Sequence, residues 1–459
     1  MVKKISVVIG ASYGDEGKGL VTDAITNIDE STLNVLTNGG AQRGHTVVTP
    51  DGIRHVFHHF GSGTFKGTIT YFPSSFIVNP IVFKKEMQEL ISCEEQIIKK
   101  RGLSYDPENS KYFRLNLNPL ISDDCLVTTP WDMLVNRIVS EEITGTNTCG
   151  MGVWETIVRN RLDFHATFEE FNLALECDGN EFLYEIREWC AKRLKDFYGL
   201  DIPEKYKDDF YSIELINHFA SDFNYLYDST RRVGKRFPTK YEHVVFENAQ
   251  GLLLSNSYRR NSDYLTPSYT GAESVIPYIN EILLANDIEL TGEIIGRVFN
   301  PSVDVYYVSR PYITRHGKDH EAFKSSKAVN PDMNIFDMTN RPNDYQGEIG
   351  YNPFDIYGLM GLSARIQEDY DKFKSCSSGC EISKNLVLTH TNEIYHMQMW
   401  IDYLACKGRL DHNPYRIGEF SKMYYSNEEY GMTSCSGLEY DKDWTIPYLA
   451  NIFKANHIF

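Results

Sequence analysis

The chain has no apolar run near the roughly 18 residues that a membrane span requires, so nothing in it reads as a transmembrane helix. It has no Pro/Ser-rich tract, no low-complexity segment and no fixed-period repeat, so its 459 residues offer no linker at which to divide them. Basic charge is in short supply: 46 Lys and Arg stand against 63 Asp and Glu, a net charge of −17. A nucleic-acid-binding surface needs a basic patch, so this balance argues against that class. Anionic substrates must be held by local arginines and backbone dipoles against an unfavourable overall field. The 9 cysteines are an odd, scattered set. Cys376 and Cys380 are the one close pair, and nothing nearby completes a zinc site. That usage suits a reduced, cytosolic compartment. The start, MVKKISVVIG, is charged and runs straight into a strand pattern, so it does not read as a signal peptide.

What is present is concentrated in residues 5–19, ISVVIGASYGDEGKG. The β-branched run Ile5, Val7, Val8, Ile9 predicts a buried strand, and it breaks at Gly10 into a glycine-rich loop ending Gly17-Lys18-Gly19. A helical pattern follows. Strand, glycine loop, lysine and helix N-terminus together make a phosphate cradle, because backbone N–H groups and the helix dipole face an anion. The spacing is not that of a Walker A loop: six residues separate Gly10 from Gly17, and Lys18 is followed by Gly19. The loop also carries Asp15 and Glu16. A carboxylate beside phosphates is repulsive unless it holds a metal or acts as a base, so the loop suggests chemistry as well as binding. A plain tight turn is the competing reading.

A second cluster runs Thr37-Asn38-Gly39-Gly40-Ala41-Gln42-Arg43-Gly44-His45-Thr46-Val47-Val48. His45 sits between a glycine turn and a strand-like run. Asp15 could deprotonate a substrate while His45 stabilises charge developing on a phosphate. Further along, residues 81–101 and 130–142 carry helical periodicity, and 167–232 is acidic, aromatic and helical in pattern. The plain reading of that last stretch is a helical elaboration with a solvated charged face. Residues 243–254, 294–309 and 385–389 read as strands, which continues an α/β alternation.

GDEGKG followed by GG…GHTVV resembles the adenylosuccinate synthetase family. Four more segments match in order: ITGTNTCGMGVWETIVRNR (143–161), VVFENAQGLLLS (244–255), TPSYTGAESV (266–275) and YITRHGKDHEAF (312–323). The resemblance implies an α/β fold with a large mixed, mostly parallel central sheet and surrounding helices, forming one domain over 1–459 with the 167–232 elaboration. It implies a ligase condensing IMP with L-aspartate at the expense of a nucleoside triphosphate and Mg²⁺. The 6-oxygen of hypoxanthine leaves poorly until it is phosphorylated. The resemblance assigns Asp15 as base and metal ligand, the Gly44 carbonyl as a second metal ligand, and His45 and Lys18 as stabilisers of the transferred phosphoryl group. It places the triphosphate on Gly14, Asp15, Glu16, Gly17, Lys18, Gly19, Gly44, His45 and Thr46. It places the monophosphate on Gln42, Asn147, Arg161, Gln250, Thr266 and Arg341. Arg161 matches an arginine that reaches into the partner subunit's site, which implies a homodimer; a surface arginine is the alternative.

Departures from the pattern bear on specificity. Gln42 and Arg43 stand for Asn and Ala beside His45, which reshapes the purine pocket. In the aspartate loop, which has an arginine-rich run in the family, Thr339 and Arg341 can be matched and the remaining arginines cannot, so Asn340, Asn343 and Gln346 must share the work, and aspartate is bound differently or another amino donor is used. The family reads guanine with an aspartate where this chain has Asn392, after His390. A second base loop falls at Ser436-Gly437. An Asn presents one acceptor and one donor group and matches the adenine edge, so ATP competes with GTP as donor. Relatives in phages that act on a guanine nucleotide lack the loop aspartate, so Asp15 points to a 6-oxopurine such as IMP. A modified or deoxy purine nucleotide remains an alternative, as do a nucleotide-binding regulatory switch and a binding-only paralogue.

Overall fold

The computed structural model describes residues 1–26, 31–102, 114–144, 149–162, 164–177, 179–257, 266–291, 300–309, 312–316, 349–353, 356–376, 380–389 and 457–458. Its strands are β1 (Lys4–Gly10), β2 (Thr32–Leu36), β3 (His45–Val48), β4 (Arg54–Phe57), β5 (Ile69–Phe72), β6 (Ile77–Val78), β7 (Leu120–Ile121), β8 (Leu126–Val127), β9 (Arg231–Arg232), β10 (His243–Gly251), β11 (Ser302–Ser309), β12 (Tyr312–His316), β13 (Ile349–Pro353), β14 (Ile382–Leu388) and β15 (His457–Ile458). The helices are α1 (Lys18–Ile25), α2 (Pro80–Lys100), α3 (Pro130–Val139), α4 (Val153–Leu162), α5 (Phe168–Cys177), α6 (Glu181–Tyr198), α7 (Glu204–Tyr211), α8 (Ile213–Ser229), α9 (Ile276–Thr291) and α10 (Ile356–Cys376).

Among the described residues, nine strands form one sheet in the order β15-β14-β11-β1-β10-β2-β5-β7-β9. Every pairing in it is parallel. The antiparallel pairs, β3 with β4 and β12 with β13, are separate ribbons. Parallel sheets are buried on both faces, and β1 shows how the sequence meets that demand. Ile5, Val7 and Ile9 point to one face, where Val275, Ile279 and Ile282 around α9 and Leu362, Ile366 and Phe373 of α10 close over them. Val8 points to the other face and packs with Val21 of α1, Val245 and Val308. In a parallel sheet all carboxyl ends lie on one edge, so β1, β10, β11 and β14 end side by side at Gly10, Gly251, Ser309 and Leu388. Ligands of open α/β sheets bind at that edge.

Residues 167–232 resolve into α5 to α8, and the helices do more than present a charged face. Phe168, Phe171, Leu183, Ile186, Leu194, Phe210, Phe219 and Phe223 are buried in the same core as Trp131 of α3 and Phe83 of α2. Trp131 Nε1 donates to the Phe210 carbonyl at 2.9 Å. The expected strand over 243–254 ends at Gly251 and passes into a 3₁₀ turn at Leu252–Leu254. The expected strand over 294–309 begins at Ser302 in the described part of the chain.

One buried charge fixes the loop after β4. The Glu86 carboxylate of α2 is 1% exposed. It accepts backbone N–H groups from His58 (2.8 Å), His59 (2.5 Å) and Phe60 (3.3 Å). The rings of His55 and His59 each lie 3.5 Å from it. His58 Nδ1 donates to the Ala41 carbonyl at 3.0 Å, so this charge also braces the 38–44 segment. Burial raises the Glu86 carboxyl, but His55 and His59 outweigh it and hold the group below the usual range. Burial likewise works against charged His55, while Cys93 and Glu86 outweigh it and hold the imidazole up at about 9. The depressed carboxylate contributes stability above its unfolded pKa of about 4.3 and loses it as pH falls; the raised imidazole contributes below about 6.5 and loses it as pH rises through 9. Glu86→Gln is expected to cost about 3 kcal/mol at pH 6–7. Thermal melts across pH check it: the gap to wild type should narrow below about pH 4. A constant gap would show that the charge is not what stabilises the loop.

Candidate functional site

The loop between β1 and α1 turns on two glycines in the left-handed region, Gly14 (φ 109°) and Gly17 (φ 90°). Gly17 is the N-cap of α1 and supplies no side-chain cap, which leaves the first turn's donors for an anion. Inside the loop the charges are paired. Glu16 Oε1 accepts the N–H groups of Ser12 and Gly14, both at 2.8 Å. Lys18 Nζ donates to the Gly14 carbonyl at 2.7 Å and lies 3.2 Å from Glu16 Oε2. The Lys18 side chain is fully buried. Glu16 and Lys18 therefore hold the loop's shape, and the half-buried Asp15 is the loop's outer carboxylate.

Gly19 lets β3 approach α1. A Cβ on Gly19 would lie 2.9 Å from His45 Cβ and 3.0 Å from Ser62 Oγ. This contact brings the two histidine- and lysine-bearing clusters of the sequence together. His45 is buried, and its Nδ1 is 2.5 Å from Glu247 Oε1 in β10. Glu247 also accepts from Ser62 Oγ (2.5 Å), Ser62 N (3.0 Å) and Asn34 Nδ2 (3.1 Å). Arg43 closes the set, with NH2 3.2 Å from Glu247 Oε1 and NH1 donating to the Glu247 carbonyl at 3.0 Å. Burial lowers the His45 pKa, Arg43 lowers it further, and the Glu247 contact offsets this only in part, leaving it at about 4. Burial raises the Glu247 carboxyl, but Arg43 and His45 overcome that and hold it at about 2. His45 is thus a neutral imidazole whose Nδ1–H is donated to a carboxylate, with Nε2 as its remaining ring nitrogen.

Gln250 joins this site from the other side. It is the one non-glycine residue with positive φ among the described residues, at 60°. Such backbone strain costs about 1–3 kcal/mol and clusters at functional sites. Its Cα lies 2.9 Å from where a Gly14 Cβ would be, and its carbonyl 2.6 Å from a Gly10 Cβ. Its Oε1 is buried with no hydrogen-bond partner, an acceptor that a polar ligand would satisfy. The flanking residues are laced in place. Ala249 exchanges hydrogen bonds with the Asn38 side chain (2.8 and 3.2 Å). The Asn248 side chain accepts from Thr37 Oγ1 and donates to the Thr270 carbonyl at 3.0 Å and Ser274 Oγ at 3.0 Å. That ties the segment of Gln42 to the segment of Thr266.

The sequence-derived residues therefore sort as follows. Gly14, Asp15, Glu16, Gly17, Lys18, Gly19, Gly44, His45 and Thr46 lie together at the β1, α1 and β3 junction, with Gln42 and Gln250 on adjoining segments. Thr266 is buried, its N–H donating to the Leu254 carbonyl at 2.8 Å. Arg161 is exposed at the end of α4. Asn147, Thr339, Asn340, Arg341, His390, Asn392, Ser436 and Gly437 lie outside the described residues. Thr389, just before His390, donates to the Glu16 carbonyl, which joins the end of β14 to the β1–α1 loop. Glu247, Asn34 and Ser62 were not singled out in the sequence; Glu247 reads there as one residue of a strand. Arg43, expected to reshape the purine pocket, turns instead to Glu247.

A family model described as adenylosuccinate synthetase matches residues 7–280. The sequence is 27% identical over 282 residues to the adenylosuccinate synthetase of Haemophilus influenzae strain PittGG, covering 59% of this chain and 57% of that protein. It is 27% identical over 327 residues to that of Caldanaerobacter subterraneus subsp. tengcongensis, covering 68% and 64%. The chain thus spans 57% and 64% of the length of these curated relatives. The structure superposes on a fully ligated adenylosuccinate synthetase from Plasmodium falciparum with a TM-score of 0.55. That match covers 86% of this chain and 78% of that one at 14% identity, a likeness of fold.

The close packing at Gly19 makes a direct expectation. Gly19→Ala should cost about 1–3 kcal/mol through overpacking against His45 and shift the His45 ring resonances. Thermal unfolding and imidazole NMR read both; an unchanged melting temperature with unchanged His45 signals would contradict the contact.

Proposed function

This chain belongs to the adenylosuccinate synthetase family, and on that premise we propose that it is a ligase forming a C–N bond. It condenses IMP, or a related 6-oxopurine monophosphate, with L-aspartate through a 6-phosphoryl intermediate, giving adenylosuccinate, a nucleoside diphosphate and phosphate. The observation that carries this reading is the convergence of the β1–α1 loop, His45 and the strained Gln250 on one edge of a parallel sheet. A triphosphate needs the first, a transferred phosphoryl group the second, and a bound monophosphate the third.

Asp15 is the base that takes the N1 proton of the purine, so that the 6-oxygen attacks the γ-phosphorus. The open first turn of α1 and the loop N–H groups carry the donor's phosphates. Lys18 acts through the loop it braces. His45 stands at the oxygen that becomes negative, where a preorganised ring contributes most. Gln250 and Thr266 hold the monophosphate, with Gln42 at the purine. The Asp15 carboxylate and Gly44 carbonyl are hard oxygen donors of the kind Mg²⁺ takes when phosphates complete its shell. Bound there, Mg²⁺ would neutralise phosphate charge. Thr339, Asn340 and Arg341 receive the aspartate. Asn392 favours ATP over a strict GTP requirement. Trp154 and Arg161 are seven apart on α4, hence on one face, and both are exposed, which supports a homodimer with Arg161 completing the neighbouring site. Sedimentation at assay concentration tests that; a fully active monomer removes the role.

Incubation with IMP, aspartate, Mg²⁺ and ATP or GTP should yield adenylosuccinate. Asp15→Ala and His45→Ala should each lower kcat about a hundredfold or more with the fold intact. Triphosphate hydrolysis without IMP would point to a switch. Near-normal turnover in either variant would remove the assigned role. A preference for GTP of about a hundredfold in kcat/KM would refute the reading of Asn392.

A further inference from the structure

Arg43 stands where the family segment carries alanine, immediately before the Gly44-His45 pair. It is 2% exposed, a full guanidinium inside the protein. Its NH2 is 3.1 Å from His45 Nδ1 and 3.2 Å from Glu247 Oε1, and its NH1 reaches the Glu247 carbonyl at 3.0 Å. A guanidinium has donors only, so it cannot share Nδ1 once that nitrogen carries a proton. The 2.5 Å contact from Nδ1 to Glu247 Oε1 decides the assignment: Nδ1–H is donated to the carboxylate, and Arg43 grips the same oxygen. Asn34 and Ser62 are neutral partners. In the ion pairs of the described residues, Arg43 is the permanently charged partner of Glu247. A fully buried carboxylate holds its place only when paired and hydrogen-bonded.

We infer that Arg43 is a positioning residue for His45: by gripping Glu247 from the strand side it fixes that carboxylate as the acceptor of Nδ1–H and leaves Nε2 as the nitrogen that serves the phosphoryl group. The arrangement follows the logic by which a buried carboxylate sets the tautomer and aim of a catalytic imidazole. In this chain the carboxylate is itself held by an arginine. The inference rests on the role proposed above for His45. Its first readout needs no turnover, so its failure is distinguishable from failure of that role.

Ring-nitrogen NMR on selectively ¹⁵N-histidine-labelled protein gives the tautomer of His45 directly. The Nδ1–H form is expected in the wild type, and the Nε2–H form would overturn the inference whatever the variants do. The double variant Arg43→Met/Glu247→Gln removes both buried charges together at similar volume, a change that buried pairs tolerate better than loss of one partner. It should give a mixed tautomer and a kcat lowered about tenfold or more, with the KM for the monophosphate within about threefold of wild type. Arg43→Lys keeps the charge without the fork and should fall between. A double variant with wild-type tautomer and kcat would show that Arg43 serves packing alone, and one whose tautomer shifts with kcat unchanged would show that the ring's tautomer does not serve the phosphoryl group; either result overturns the inference.

Discussion

Glu247 is the residue on which the site depends. It lies fully buried on β10, the middle strand of the described sheet, next to β1, and its two oxygens are shared among Asn34, Arg43, His45 and Ser62. Those partners come from β2, the 38–44 turn, β3 and the turn before β5. A charge in that position costs several kcal/mol unless every lone pair is met, so the fold is under pressure to keep all four segments in register. The same pressure delivers His45 to the first turn of α1.

Close backbone approach does the rest. Gly19 admits His45, Gly14 admits Gln250, and Gly251 lies where a Cβ would be 2.3 Å from the Ser12 carbonyl. These contacts bring two loops, from the carboxyl ends of neighbouring parallel strands, into contact without side chains between them. Functional side chains then reach a common space, and Gln250 is held in a strained conformation by the packing on both sides. A second buried carboxylate, Glu86, anchors the loop after β4 and, through His58, the turn that carries Gln42. The site is thus framed by two internal anions in a protein whose overall charge is −17.

Much of this was legible in the sequence, for local reasons. The β-branched run of β1, the glycine loop and the helical start of α1 are contiguous, and they appear as read. α2 spans Pro80–Lys100 with Asn79 as its cap, close to the expected 81–101. The parallel sheet followed from the family resemblance and the α/β alternation. What was not legible depends on distance along the chain. The His45–Glu247 contact joins residues 202 apart, and no local pattern marks either as the other's partner. Arg43 looked like a pocket residue because it adjoins His45, yet its side chain follows the nearest buried charge. The aromatic stretch of α5 to α8 read as an exposed elaboration because its charges are frequent. Phe168, Phe171, Phe210, Phe219 and Phe223 instead face inward and belong to the main core.

The account stands or falls on whether the purine oxygen becomes the leaving phosphate. Monophosphate substrate carrying a heavy oxygen isotope at the 6-position, turned over with aspartate, triphosphate and Mg²⁺, tests this in one measurement by mass spectrometry of the released phosphate. The account requires one labelled oxygen in each phosphate formed. Phosphate free of label, with product formed, would contradict phosphoryl transfer to the purine and with it the roles of Asp15 and His45.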